Sequence, residues 1–223
     1  MTFFDEIKTI AIPIEDFGVY EESDDVTHAV DYYINEVYEL AKKYNITVEA
    51  HWGASQLAFV VEETKEVYKT PFLGQMEQWN DKEWDDEDYE EGWQENFEYF
   101  RRNYTALTEE IYHKAEDAGV AMFFAKIKKI GNNLWIQEYV EPRAIQKASK
   151  TYSDDSLKKA KAMDRVPFED DWIAVAIDMY GEEKFQSLLK FIKDEELSDF
   201  HWNNYGWDQT GAPKLLDYCG YYG

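Results

Sequence analysis

A change in hydrophobic period does most to limit what this chain can fold into. Before Pro142, short apolar stretches alternate residue by residue, as in Leu57, Phe59 and Val61; after it, apolar residues return every third or fourth position. Alternation marks a strand with one buried face, and the longer spacing marks one side of a helix. The stretch "ITVEAHWGASQLAFVVEETKEVYKTPF" reads as three strands, with a glycine-containing turn after the first. "AMFFAKIKKIGNNLWIQEYVEP" reads as a hairpin with a Gly-Asn-Asn turn, closed by Pro142.

Helices are expected on either side of these strands. "DDVTHAVDYYINEVYELAKKYN" aligns Val30, Tyr33, Ile34, Val37, Leu40 and Ala41, with acids at its start and lysines at its end. "NYTALTEEIYHKAEDAGV" aligns Tyr104, Leu107, Ile111, Ala115 and Ala118, and Gly119 is its expected stop. "DDWIAVAIDMYG" and "GEEKFQSLLKFIKDEEL" are two more, the second with Phe185, Leu188, Leu189 and Ile192 on one face. The expected class is α+β in two lobes. An N-terminal helical extension covers 1–45, a sheet-rich small lobe 46–142 with an acidic insertion near 80–98, and a helical large lobe 143–223.

Composition excludes several functions. A chain of 223 residues, 44% hydrophobic and 17% aromatic, buries a core. No apolar run is long enough to span a membrane, and the N-terminus lacks the pattern of a signal peptide. The single cysteine, Cys219, leaves no internal disulfide and suits a cytoplasmic protein. His28, His51, His113 and His201 lack zinc-ligand spacing. The net charge of −24 repels nucleic acid and anionic membranes. It is most dense in "NDKEWDDEDYEEGWQENFE", where Trp84, Tyr89 and Trp93 stand among carboxylates. That segment is either a solvated insertion or a surface that attracts a basic protein.

Phosphoryl transfer from ATP asks a protein mainly to position charge. It needs a lysine on a strand for the phosphates and a carboxylate on a helix to hold that lysine. An aspartate orients the attacking hydroxyl, and an asparagine and a second aspartate hold Mg2+. The chain carries these groups in order. Lys69 follows a turn with Gly53 and Ser55, and a glutamate-bearing helix comes next. "LWIQEYVEP" reads as a strand and hinge whose backbone could meet an adenine. "DFHWNN" supplies Asp199 and Asn204, and Asp217 follows on an apolar strand ahead of Gly220.

In these residues the chain resembles the protein-kinase-like superfamily. It looks most like the small kinase-like proteins of bacteriophages and bacteria, with an Asp-x-His-x-x-Asn catalytic loop and an Asp-Tyr-x-Gly metal strand. The resemblance runs from about Ile46 to the end. It implies a two-lobed kinase-like fold whose helical C-terminal lobe is truncated, since an ordinary kinase continues past the metal strand with an activation segment and substrate-docking helices. It implies ATP and Mg2+ as ligands, Asp199 as catalytic base, and Asn204 and Asp217 as metal ligands. Gly53 and Ser55 would cover the nucleotide, Lys69 would hold its phosphates, and Glu138 to Val140 would form the hinge. Glu110, Glu109 and Glu98 are the candidate partners of Lys69; Glu110 stands nearest the apolar face of its helix, about a right angle from Ile111.

Each of these residues also has a plain structural reading. A strand lysine is ordinarily solvated, Asn204 and Asp217 can cap loops, and His201 suits a hydrogen-bonding role within its loop better than proton transfer. Two functions stay open: an ATP-binding phosphotransferase with an unknown acceptor, or a kinase-like binding protein, phage-encoded by the resemblance, that acts on a basic host protein.

Overall fold

The structure, a computed structural model, describes residues 2–9, 23–52, 56–71, 103–146 and 151–219. The chain divides into two compact units: Met1–Leu107 with Lys128–Gln137, and Thr108–Ile127 with Glu138–Gly223. Helices and antiparallel strands occur together, so the class is α+β.

The first unit is built on a five-stranded sheet in the order β1-β2-β3-β5-β4. Its strands are β1 (Val48–Trp52), β2 (Gln56–Val61), β3 (Glu66–Pro71), β4 (Ile127–Gly131) and β5 (Leu134–Glu138). Leu57, Phe59 and Val61 are fully buried, as their alternation requires, and Phe59 lies opposite Tyr68 of β3. Two N-terminal helices complete this core: α1 (Phe3–Glu6) through Phe3, and α2 (Ser23–Tyr44) through Tyr33, Val37, Leu40 and Ala41. Phe3, Ile7, Tyr33, Val37, Leu40 and Ala41, from the expected N-terminal extension, thus lie in the first unit's core. Thr2 caps α1 reciprocally with Asp5, and Glu6 of the same helix accepts from Lys43 Nζ and Tyr44 Oη at the end of α2. The β4–β5 hairpin turns at Asn132 and Asn133, and Asn133 takes the left-handed conformation that asparagine tolerates.

Helix α3 (Tyr104–Asp117) starts at Asn103, whose side-chain oxygen accepts from Ala106 N at 2.9 Å. It stops at Gly119, with φ +68° and with Val120 N bonded to Ala115 O. Its buried stripe is Tyr104, Thr105, Thr108, Ile111, Tyr112 and Ala115, while Leu107 is only half-buried. Two threonines take the place expected of Leu107, and the stripe turns toward them. As a result Glu109 is half-buried and Glu110 exposed, the reverse of the order that the apolar residues alone suggest.

The second unit holds α4 (Asp154–Ala162), α5 (Asp170–Tyr180) and α6 (Glu182–Asp194). A three-stranded sheet accompanies them: β6 (Glu141–Pro142), β7 (Tyr205–Trp207) and β8 (Pro213–Leu215). Helix α5 is buried from Trp172 through Ile177, so it reads as a core helix. In α6 the buried side chains are Phe185, Leu188, Phe191 and Ile192, with Phe191 displacing Leu189 from the expected face.

Asp178 of α5 ties down the start of α4. Its carboxylate accepts from Ser153 Oγ at 2.9 Å, Ser153 N at 2.5 Å and Ser156 Oγ. The hydroxyl of Ser156 and the groups of Ser153 hold its pKa below the ordinary 3.8. A carboxylate with a lowered folded pKa stabilises the fold above its unfolded pKa, and loses that contribution as pH falls through the folded one. The melting-temperature gap between wild type and Asp178→Asn should therefore be widest near neutral pH and close as pH drops below about 4. A gap that stays constant as pH is taken well below that value would refute this coupling.

Candidate functional site

The candidate site in the second unit is built by one hairpin. Strands β7 and β8 pair antiparallel, Tyr205 opposite Leu215 and Trp207 opposite Pro213. Their turn is closed by Asp208, whose Oδ1 accepts from Thr210 N, Thr210 Oγ1 and Ala212 N at 2.7–2.9 Å, and Gly211 supplies the left-handed residue (φ +77°). This register carries consequences at the open end. Asn204 directly precedes β7 and Asp217 follows β8 by two residues, so pairing the strands brings the two together. Asn204 O accepts from Leu216 N at 2.9 Å and from Asp217 N at 3.3 Å.

The loop before β7 brings in Asp199. Its backbone is left-handed (φ +66°), a conformation Asp adopts more readily than most residues. Asn204 Nδ2 donates to Asp199 O at 2.9 Å and to Asp199 Oδ2 at 3.1 Å. Asn204 is buried at 8% exposure, while the Asp199 side chain keeps 37%. Both printed bonds of the Asn204 side-chain amide thus go to Asp199, while its backbone carbonyl is the group that meets Asp217 N. An amide oxygen and one carboxylate are the donors Mg2+ takes from a protein when phosphates and water complete its shell. Asn204 and Asp217 are residue types that can offer such donors. Among the described residues no group of three His, Cys, Asp or Glu side chains converges on a metal position.

His201 holds the loop. Asn203 N donates to His201 Nδ1 at 3.2 Å, so Nδ1 acts as acceptor and the ring proton sits on Nε2, which lies 3.6 Å from Asp199 Oδ1. The loop rests on aromatic packing: Phe200 meets Phe168 edge-on at 5.2 Å, and Phe168 lies 4.5 Å from Trp172 with the rings tilted by 33°. Trp172 Nε1 donates to Gly206 O at 3.0 Å in the buried interior. Burial pushes the Tyr205 hydroxyl up to about 12, and burial also raises that of Tyr218, which is fully enclosed with Phe124 at 4.8 Å. Tyr218 is thus a core residue.

The other expected residues fall as follows. Lys69 lies on β3 opposite Ala58, on the face away from Tyr68, and is 4% exposed, unlike a solvated strand lysine. It belongs to the first unit, and Asp199, Asn204, Asp217, Glu109, Glu110, Glu138 and Val140 belong to the second. Glu110 pairs with Lys114 at 3.3 Å, and Lys114 also reaches Glu195 at 2.8 Å. At the expected hinge, Glu138 N donates to Lys126 O at 2.8 Å, so this amide is engaged within the protein. The Glu138 carboxylate takes Lys126 N and Lys214 Nζ, each at 3.2 Å. Val140 is buried. Asp217 lies just past β8 and not in a strand. Gly53, Ser55, Glu98, Gly220 and the acidic segment 80–98 lie outside the described residues.

Three positioning residues escaped the reading of the sequence. Lys214 ties β8 to Glu138, Trp172 bonds β7, and Gly206 lets β6 approach β7. Only Gly206 carried a signal, since a glycine within an apolar strand marks a close backbone approach. Among the described residues no helix is long and apolar enough to cross a membrane. No family model, no curated protein and no solved structure matches this chain.

Proposed function

We propose that this chain is a kinase-like protein that binds ATP with Mg2+ and transfers phosphate to an acceptor hydroxyl or to itself. The observation that carries this reading is the meeting of Asp199, Asn204 and Asp217 at the open end of the β7–β8 hairpin. Asp217 stands thirteen residues after Asn204 in sequence, and phosphoryl transfer asks for this set together. Further support comes from a buried lysine on the third strand of a five-stranded sheet, and from a helix between that strand and the β4–β5 hairpin. Mg2+, when bound, offsets phosphate charge. Asn204 and Asp217 would hold it, Lys69 would hold phosphate oxygens, and the exposed Asp199 carboxylate would orient the acceptor hydroxyl and take its proton. Asn204 keeps Asp199 in place through its two hydrogen bonds.

MgATP at a hundredfold excess over its dissociation constant should stabilise the fold by about 2.7 kcal/mol, a rise of roughly 5–10 °C in melting temperature for a chain this long. Asp217→Ala and Lys69→Ala should each reduce that rise, and Asp199→Asn should keep it while abolishing turnover of labelled ATP. A melting temperature indifferent to millimolar MgATP would refute the proposal.

A further inference from the structure

Among the described residues, three large hydrophobic side chains are exposed: Tyr38, Ile145 at 74% and Trp202 at 61%. Two of the three lie on adjoining backbone, because Ala144 N donates to Trp202 O at 2.9 Å. Both belong to the second unit, and Trp202 sits inside the Asp199–Asn204 loop. Single exposed apolar residues need no explanation, but a tryptophan and an isoleucine together beside a candidate catalytic carboxylate do.

The indole is also oriented. Trp202 Nε1 donates to Glu169 Oε1 at 3.1 Å. That bond fixes the ring while leaving most of its surface in water, and a fixed aromatic surface loses little entropy when something docks on it. A tryptophan face attracts cations more than any other aromatic side chain. Here a carboxylate at the ring edge adds to the attraction, and the Asp199 carboxylate, 37% exposed, stands three residues away. A second copy of this chain is a poor occupant, since each copy carries −24.

We infer that Trp202 and Ile145, with Glu169, form the acceptor-docking surface for a basic polypeptide segment in which a hydroxyl-bearing residue is flanked by apolar and cationic side chains. Ile145 and the indole take the apolar and cationic groups, and the hydroxyl is presented to Asp199. This rests on the phosphotransferase reading for its chemistry, while the docking itself needs no nucleotide. Trp202 is a specificity-determining residue and takes no part in bond making.

The test is fluorescence anisotropy of a fluorescein-labelled Lys-Leu-Ser-Leu-Lys peptide titrated with the full chain, without nucleotide. The wild type should bind it, with affinity falling as salt rises. Trp202→Ala should weaken binding by roughly tenfold, Trp202→Phe should restore part of the loss, and Glu169→Gln should weaken it about threefold. A peptide with glutamates in place of lysines should not bind. Equal affinity for Trp202→Ala and wild type, or equal binding of the acidic peptide, would overturn the inference. So would a self-association of the chain that Trp202→Ala abolishes. Because Trp202 is exposed, its loss does not unfold the chain, and Ile145→Ser provides a second check with the same expected direction. The MgATP melting shift, measured in parallel, separates the two ideas: failure there refutes the nucleotide site, and failure here refutes the docking surface.

Discussion

Gly206→Ala should lower the melting temperature by about 10 °C and abolish stabilisation by MgATP. A Cβ on Gly206 would stand 1.9 Å from Glu141 O, 2.8 Å from Glu141 C and 2.9 Å from Pro142 Cα. All three are backbone atoms of β6, so no side-chain rotation relieves the overlap. Either β6 moves away from β7 or β7 twists out of register. Overpacking of a core costs typically 1–3 kcal/mol, and a backbone collision lies at or above the top of that range. At roughly 2–4 °C per kcal/mol this gives the expected drop. The loss of ligand response follows from position: Gly206 is two residues after Asn204, and displacing β7 separates Asn204 from the Asp217 backbone. A variant that melts within about 2 °C of wild type would show that β6 yields at little cost.

Trp172→Ala is the second large effect, with an expected cost of about 3–5 kcal/mol. Trp172 is fully buried and meets Phe168, Phe123, Phe185 and Tyr205 at ring distances of 4.5–6.5 Å. Removing the indole leaves a cavity at the centre of the second unit, and the surrounding rings collapse only in part. Trp172→Phe separates two contributions. It keeps an aromatic ring but loses the hydrogen bond to Gly206 O, which contributes about 0.5–1.5 kcal/mol. Denaturant titration should therefore rank wild type above Trp172→Phe and Trp172→Phe well above Trp172→Ala. Equal stability of the two variants would place the whole effect in the hydrogen bond and contradict the packing argument.

Both variants act on the same element, because the candidate site has little structure of its own. Asp199, Asn204 and Asp217 sit on loop residues, and their arrangement is inherited from a three-stranded sheet held between aromatic side chains of α5 and the segment around Phe124. Ala125 N donates to Leu215 O at 2.7 Å, and Phe124 bridges Leu215, so β8 is fixed on this side as well. Stability of this sheet and competence of the site should fail together.

Local chemistry was sufficient for much of this. The spacing of Tyr33, Val37, Leu40 and Ala41 specifies α2 and its buried face, and the alternation of Leu57, Phe59 and Val61 specifies β2. Gly131-Asn132-Asn133 marks the β4–β5 turn, and Gly119 the end of α3. These succeed because helix period, strand period and left-handed turns are properties of a few neighbouring residues. The Asp199, Asn204 and Asp217 set was also visible in sequence as a spacing. What sequence alone did not determine is which long-range partners each element meets. Thr105 and Thr108 outrank Leu107 on α3 because burial depends on what faces the helix, and this turned Glu109 inward and Glu110 outward. Helices α1 and α2 joined the sheet because Phe3 packs edge-on against Tyr68 and Tyr33 packs against Phe59. The Glu138 carboxylate was taken up by Lys214, a residue distant in sequence, because tertiary packing brought β8 beside it. Asn204 met Asp217 only through the register of β7 on β8, a register set by Gly206 against β6 and by the Asp208 turn. Pairing across such distances is decided by packing and backbone hydrogen bonds that exist only once the whole unit has condensed.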